Sequence, residues 1–366
     1  MNTSRRPRST AVGNERTQLE FDVPANSAAT SPPEIEGLGR DDVRLIVARD
    51  RRTPRVEHRA FTDLGDALQA GDVLVTNTSA TLPAAIIGHD DAEEPVLVHF
   101  STALDESTWV VEIRNRDNAG PDTERRIGES IALPGGIRLT LGAPHPPETA
   151  SVRLRRTTVS AADGRAPVPA EYLSRYGRPI VYDYLGAARF PLERYQTVFA
   201  RTPGSAEMPS AARPFTERGV VDLMTRGVLL VPILLHCGVS SPDANEAPSP
   251  EPFVVPPDTA RAVNSARAAG RRVVAVGTSA ARAIETVARP DGFVADGRGW
   301  TDLVLGPDRP ARTTTGLLTG LHMPEASHLL LLQAVAGTAL VRAAYEAATG
   351  GNYRWHEFGD ANLFLP

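Results

Sequence analysis

The chain lacks most of what marks the larger functional classes. It has one cysteine in 366 residues, Cys237, so no internal disulfide can form and a reducing cytoplasm is the simplest setting. No apolar run approaches the roughly 20 residues that cross a bilayer. The opening "MNTSRRPRSTAVGNERTQ" has basic residues but no apolar segment to make a signal peptide. Basic charge is not in excess either. A net charge of -5 and a pI near 6.0 exclude a strongly basic face, so RNA binding would need a local patch. There is no GxGxxG and no GxxxxGKS/T loop, which argues against a dinucleotide or P-loop site. With no second cysteine and no HxxxH pair, a zinc site is not expected. No internal repeat is present.

What is present suffices for a full core: 41% of residues are apolar, and the length suits two domains or one large one. "VRLIVARDRRTPRVEHRA" reads as two strands around a polar turn, followed by a helix over "TDLGDAL" and a strand over "GDVLVTN". Between about Asn77 and Arg165 the pattern changes to short alternating runs such as "EPVLVHF", "TWVVEIRNR" and "SIALPGGIRLTL", split by Gly, Pro and Asp. That spacing predicts an antiparallel barrel or sandwich. After Leu192 strand and helix alternate again. "VLLVPILLH", "RRVVAVG" and "TDLVLG" read as strands, "PPDTARAVNSARAAG" and "SAARAIETVA" as helices. The order predicts a mostly parallel sheet with flanking helices, whose ligand lies at the carboxyl ends of the strands.

Several stretches carry chemistry. In "VVAVGTSAARAIE", Gly277 ends a strand and Thr278 or Ser279 can cap a helix whose N–H groups would hold a ribose, carboxylate or phosphate oxygen. The same turn can be a plain structural joint, and Arg282 with Glu285 a surface ion pair. "LLHCG" places His236 and Cys237 at a strand end, either as site residues or as a bonded imidazole and a small buried thiol. "GLHMPEASHLL" offers His322 just before a proline break, the better candidate, and His328 facing core or groove, with core favoured. The aromatics of "YRWHEFGDANLF" fit an adenine wall or packing against the last helix.

In order along the chain, "EHRAFTDLGDALQAGDVLVTNTSATLPAAIIG", "ERYQTVFARTPGS", "LLHCG", "VVAVGTSAARAIE", "GWTDLVLGP", "TGLHMPEASHLLLLQAVAG" and "YRWHEFGDANL" resemble the motifs of the S-adenosylmethionine:tRNA ribosyltransferase-isomerase family of queuosine biosynthesis. The resemblance runs from about Phe21 nearly to the end. It implies an α/β fold with a mostly parallel sheet and flanking helices, interrupted by an inserted antiparallel β-barrel. Residues 1–20 would then be a disordered tail, 21–76 and 180–366 the cofactor-binding α/β domain, and 77–179 the barrel module with its return linker.

The activity implied is transfer of the ribosyl part of S-adenosylmethionine to a 7-aminomethyl-7-deazaguanine in tRNA. Adenine and methionine are lost, and the ribosyl group rearranges to an epoxycyclopentanediol. A sulfonium acidifies the adjacent 5' carbon, so a positioned base can remove a proton, the ylide expels adenine and the acceptor amine attacks, with no metal needed. Carried over by motif, the catalytic candidates are His322, His236, Glu251 and Asp360. Tyr195, Gln196, Thr197, Gly204, Ser205, Gly277, Thr278, Ser279 and Arg282 would bind the cofactor.

The chain departs from the family where substrates would bind. Ala80 and Ala85 stand in place of two arginines, Arg213 and Pro214 in place of a leucine and a histidine, and "TGLHMP" lacks an asparagine. Three outcomes are compatible with that: ribosyl transfer to tRNA, the same donor cleavage serving a small amine-bearing acceptor, or a non-catalytic nucleotide-binding scaffold. Arg114, Arg116, Arg125 and Arg126 on the barrel would form a compensating patch for tRNA.

Overall fold

Alternation of apolar and polar residues draws the first ordered segment into a hairpin, β1 (Arg44–Arg49) antiparallel to β2 (Arg55–Ala60). Asp50 makes the turn with a φ of 64°, and its Oδ1 accepts the N–H groups of Arg52 at 2.9 Å and Thr53 at 3.2 Å. The computed structural model describes residues 19–149, 151–186, 188–240, 246–324 and 326–366. The tail expected over 1–20 therefore lies outside these residues except at its end, where Leu19 is buried in the core. Phe21 packs on Tyr345 and Trp355.

A short α1 (Leu64–Ala67) leads to β3 (Val73–Asn77), buried along its whole length, and to β4 (Ser79–Thr81). The alternating stretch that follows forms a closed barrel of β5 (Ala85–His89), β6 (Pro95–Ala103), β7 (Thr108–Arg114), β8 (Ser130–Leu133), β9 (Ile137–Pro144) and β10 (Leu154–Ser160), every pairing antiparallel. Closure removes the exposed edges that six short strands would otherwise present. Its core is sequestered from the rest, with Trp109 edge-on to Phe100 and α2 (Pro169–Tyr176) packed outside through Tyr172 and Leu173.

The chain returns through β11 (Thr202–Ser205), parallel to β4, and α3 (Glu217–Thr225), capped by Thr216 Oγ1 on the Gly219 N–H. There follow β12 (Leu229–Leu235), β13 (Glu251–Val255), α4 (Pro257–Ala268), β14 (Val273–Val276), α5 (Thr278–Thr286), β15 (Gly297–Thr301), β16 (Gly316–Gly320), α6 (His328–Ala336), α7 (Thr338–Gly350) and β17 (Ala361–Phe364). One sheet runs β15-β13-β12-β3-β14-β16-β17-β1-β2. Helices α4 to α7 share an apolar cluster with one face, while α1, α3 and the segment around Phe215 cover the other.

The mostly parallel sheet expected from sequence is not what forms. Four neighbouring pairs are parallel (β12/β3, β3/β14, β14/β16 and β17/β1) and four are antiparallel (β15/β13, β13/β12, β16/β17 and β1/β2). The strand expected over "TDLVLG" forms earlier, at β15, because it pairs as an antiparallel edge with β13 and the chain turns away after Thr301. Only the centre is a parallel crossover sheet. Its strands end at one edge, which places the cleft. Among the described residues no single helix is long and apolar enough to cross a membrane, and α6 and α7, apolar together, are bent by 120°.

Candidate active site

At the carboxyl edge of the central strands lies a cleft of about 490 Å³. That volume suits a nucleoside-sized ligand. β14 delivers Gly277, Thr278 and Ser279, β16 delivers Thr319 to His322, and β12 delivers Cys237. β17 runs antiparallel to β16 with Ala361 opposite Gly320, so the residues just before β17, His356 and Glu357, reach the same edge. Tyr182 and Tyr184 come from the segment after the barrel, and Glu207 from the turn after β11.

Gly277 opens the site. Its φ of 90° is one that a side chain rarely adopts, and it turns β14 directly into α5. Neither Thr278 nor Ser279 caps the helix, as the sequence suggested; Gly277 holds the cap position with no side-chain bond, leaving the first N–H groups toward the cleft. Ser279 Oγ instead accepts from Asn77 Nδ2 at 3.2 Å, tying α5 to β3. Nor does Arg282 pair with Glu285. Glu285 accepts the backbone N–H groups of Arg312, Thr313 and Thr314, and Arg282 forms an ion pair with Glu251. Glu251 also accepts the Gly238 N–H at 2.8 Å, and the pair lines a smaller adjoining cavity of about 100 Å³.

His322 lies on the cleft wall, its Nε2 2.9 Å from Thr319 Oγ1. Its ring stacks on His328, centroids 4.6 Å apart and planes 3° from parallel. His328 thus faces the groove, not the core favoured from sequence. Burial, then the neighbouring His328 and His356, push the His322 ring well below the ordinary imidazole range, and burial followed by Arg282 lowers His328 to about 4. Both rings are neutral near pH 7.

Other expected site residues stand behind the cleft. His236 Nδ1 lies 2.7 Å from Ser79 Oγ, which is 2.6 Å from Ser205 Oγ, and Ser205 Oγ accepts the Cys237 N–H at 2.9 Å. Gly204 lies against the His236 ring so closely that a Cβ there would collide with it. This network joins β4, β11 and β12 beneath the floor. Cys237 is on the lining, but burial raises its thiol far above the usual range, so it is no nucleophile at neutral pH.

Tyr195, Gln196 and Thr197 do not line the cleft. The Gln196 amide takes the Thr81 N–H at 2.9 Å and gives to the Thr81 carbonyl at 2.8 Å, the geometry of an added strand residue, so it docks the connection onto β4. Tyr195 is buried against Phe358, and Thr197 is also buried. Asp360 is spent on backbone, accepting Arg44 N–H at 2.6 Å and Arg354 N–H at 2.7 Å. Of the terminal aromatics, Tyr353 and Trp355 are core, while His356 reaches the cleft and stacks on Tyr184 at 4.0 Å.

The acids of the cleft, Glu207 and Glu357, went unread in the sequence. Each is a lone carboxyl in a run of a different character, "GSAEMPS" and "YRWHEFG", and that mismatch was the available signal. Glu207 accepts from Tyr182 Oη, from Ser240 N–H at 2.8 Å and from Ser240 Oγ at 2.7 Å. Burial raises its carboxyl above the usual range; burial and then the Glu207 charge raise Glu357 to about 8. Among the described residues no group of three or more His, Cys, Asp or Glu could hold a metal ion.

The model of a family described as queuosine biosynthesis protein matches residues 16–364. A protein of Desulfitobacterium hafniense named S-adenosylmethionine:tRNA ribosyltransferase-isomerase is 32% identical, the match covering 95% of this chain and 98% of the relative. One of the same name from Symbiobacterium thermophilum is 33% identical, over 95% and 99%. The fold is similar to the crystal structure of an S-adenosylmethionine tRNA ribosyltransferase from Thermotoga maritima, with a TM-score of 0.51 and 24% identity over 94% of this chain and 99% of that one. With the family model spanning nearly every residue and relatives above 30% identity aligned end to end, the chain belongs to the queuosine biosynthesis protein family.

Proposed function

We propose that the protein is an S-adenosylmethionine-dependent transferase and isomerase that moves the ribosyl part of its donor onto a 7-aminomethyl-7-deazaguanine in tRNA and rearranges it. The relatives' shared name supports the reaction, and the cleft at the end of β14 and β16 supports its place. The exposed N–H groups at the start of α5 suit ribose or carboxylate oxygens of S-adenosylmethionine, with Gly277, Thr278 and Ser279 as the binding turn. The Glu251–Arg282 pair stands next to that turn as its support. His322, neutral and on the wall, is the candidate base for the 5' proton of the donor.

A small amine-bearing acceptor finds no support among the named relatives, whose names specify tRNA. tRNA as acceptor implies a cytoplasmic enzyme. Its binding should nevertheless be modest, because three of the four arginines expected to compensate for Ala80 and Ala85 are paired with carboxylates, the exposed Arg126 being the exception among the described residues. Arg114 is buried on Glu112, Arg116 pairs with Glu94, and Arg125 pairs with Asp90, Asp122 and Glu129. Incubating the purified protein with S-adenosylmethionine and bulk tRNA should release adenine and methionine, detected by mass spectrometry. Absence of adenine with acceptor-bearing tRNA overturns the reading.

A further inference from the structure

One end of the cleft has a chemistry that the binding turn does not use. Glu207 and Glu357 line it together, walled by Tyr182 and Tyr184, and the lining contains no arginine; the chain has no lysine at all. Burial lowers His322, His328 and His356 alike, which disfavours a positive charge on the histidines there. Two carboxyls crowded without a cation in their cavity are costly. Nor are their acceptors used up. Glu207 is satisfied by Tyr182 and Ser240, but Oε2 of Glu357 is buried with no hydrogen-bond partner. The Tyr184 hydroxyl in the same wall bears on this carboxyl, and the buried Oε2 still has acceptor capacity for an incoming donor.

We propose that the Glu207–Glu357 end of the cleft is a subsite for a primary ammonium group, which sits between the two carboxyls and donates to Oε2 of Glu357. An ammonium has three N–H donors and one positive charge, matching the open acceptor and the two acids, which the nearby Arg213 offsets only in part. A sulfonium has charge but no donor and fits less well. The inference rests on the proposed reaction, which brings two ammonium groups to the cleft: the one on the methionine part of the donor and the aminomethyl of the acceptor. Raised titration of both carboxyls fits the same picture, since the pair retains a proton that an arriving cation can replace.

Calorimetric binding at pH 7 with two ligand pairs tests the subsite. One pair is S-adenosylmethionine and its deaminated counterpart; the other is free 7-aminomethyl-7-deazaguanine and its hydroxymethyl counterpart. The wild-type protein should hold the ammonium member of one pair at least about tenfold tighter, and the responding pair identifies the source. Glu357→Gln, which keeps the shape and loses the charge, should abolish that preference, and Glu207→Gln should reduce it. An ammonium preference that is the same in the wild type and in both variants overturns the proposal. Adenine release from S-adenosylmethionine and tRNA keeps the two readings apart. Release with no Glu357-dependent preference sinks the subsite alone, no release sinks the reaction, and failure of both pairs to bind sinks both.

Discussion

His322 gives the sharpest test of a single side chain. It precedes α6, outside any helix interior, and among the described residues its ring bonds Thr319 and stacks on His328. His322→Ala should therefore leave the melting temperature nearly unchanged and lower turnover by about 100-fold or more, the usual contribution of a positioned base. A variant that fails to fold would show that the ring is structural. Glu357 makes the opposite kind of prediction, about stability. Its carboxyl is raised from 4.5 to about 8 by burial and the Glu207 charge, against weaker help from Tyr184 and Arg213. The folded protein holds that proton more tightly than the unfolded chain, so the stabilisation is complete below about pH 4.5 and is lost as pH rises toward 8. Denaturant titrations of wild type and Glu357→Gln should diverge across that window, with the variant the more stable at pH 8.5. Parallel curves would show the carboxyl to be unperturbed.

Among the elements, the turns and joints decide where the site stands. β17 brings Glu357 to the cleft only because it is pinned beside β1, and Asp360 does the pinning from just ahead of the strand. Asp360→Ala leaves two backbone N–H groups without acceptors, at a cost of about 2–4 kcal/mol. The loss should appear as a lower denaturation midpoint. Had Asp360 been catalytic, the variant would instead melt normally and fail to turn over. A similar argument applies at Gly204, where a Cβ would meet the His236 ring: Gly204→Ala should cost about 1–3 kcal/mol by overpacking the joint between β11 and β12. That joint was legible as a motif but not as a joint. "ERYQTVFA" has the polar density of a binding loop, yet Gln196 spends both ends of its amide on Thr81, a residue 115 positions away.

At the scale of the molecule, charge governs the encounter with tRNA. All 39 basic residues are arginine, and among the described residues thirteen of them pair with a carboxylate. Even Arg213, which stands where the resemblance leads one to expect leucine, is buried on Glu34 at 2.7 Å and stacks over Phe358. With a net charge of -5 and three of the four barrel arginines paired with carboxylates, the slope of log affinity against log salt in gel-shift titrations should be no steeper than about -4. A slope beyond about -6 would reveal a patch formed only in the complex.

The sequence by itself determined the local parts: the hairpin of β1 and β2, the alternating strands of the barrel, and the β14–Gly277–α5 turn. Each is encoded within a few residues, as period-two alternation, a turn-forming aspartate or a glycine at positive φ. Tertiary structure decided the rest. Strand direction is set by where the chain returns: β17, too short to announce itself, enters antiparallel to β16, and with the antiparallel strands β2, β13 and β15 it makes the sheet mixed. The same return brings Glu357 beside Glu207, 150 residues earlier, and buries both. A carboxyl's charge state depends on what surrounds it, and those surroundings exist only once the sheet and the segment after the barrel have closed over the cleft.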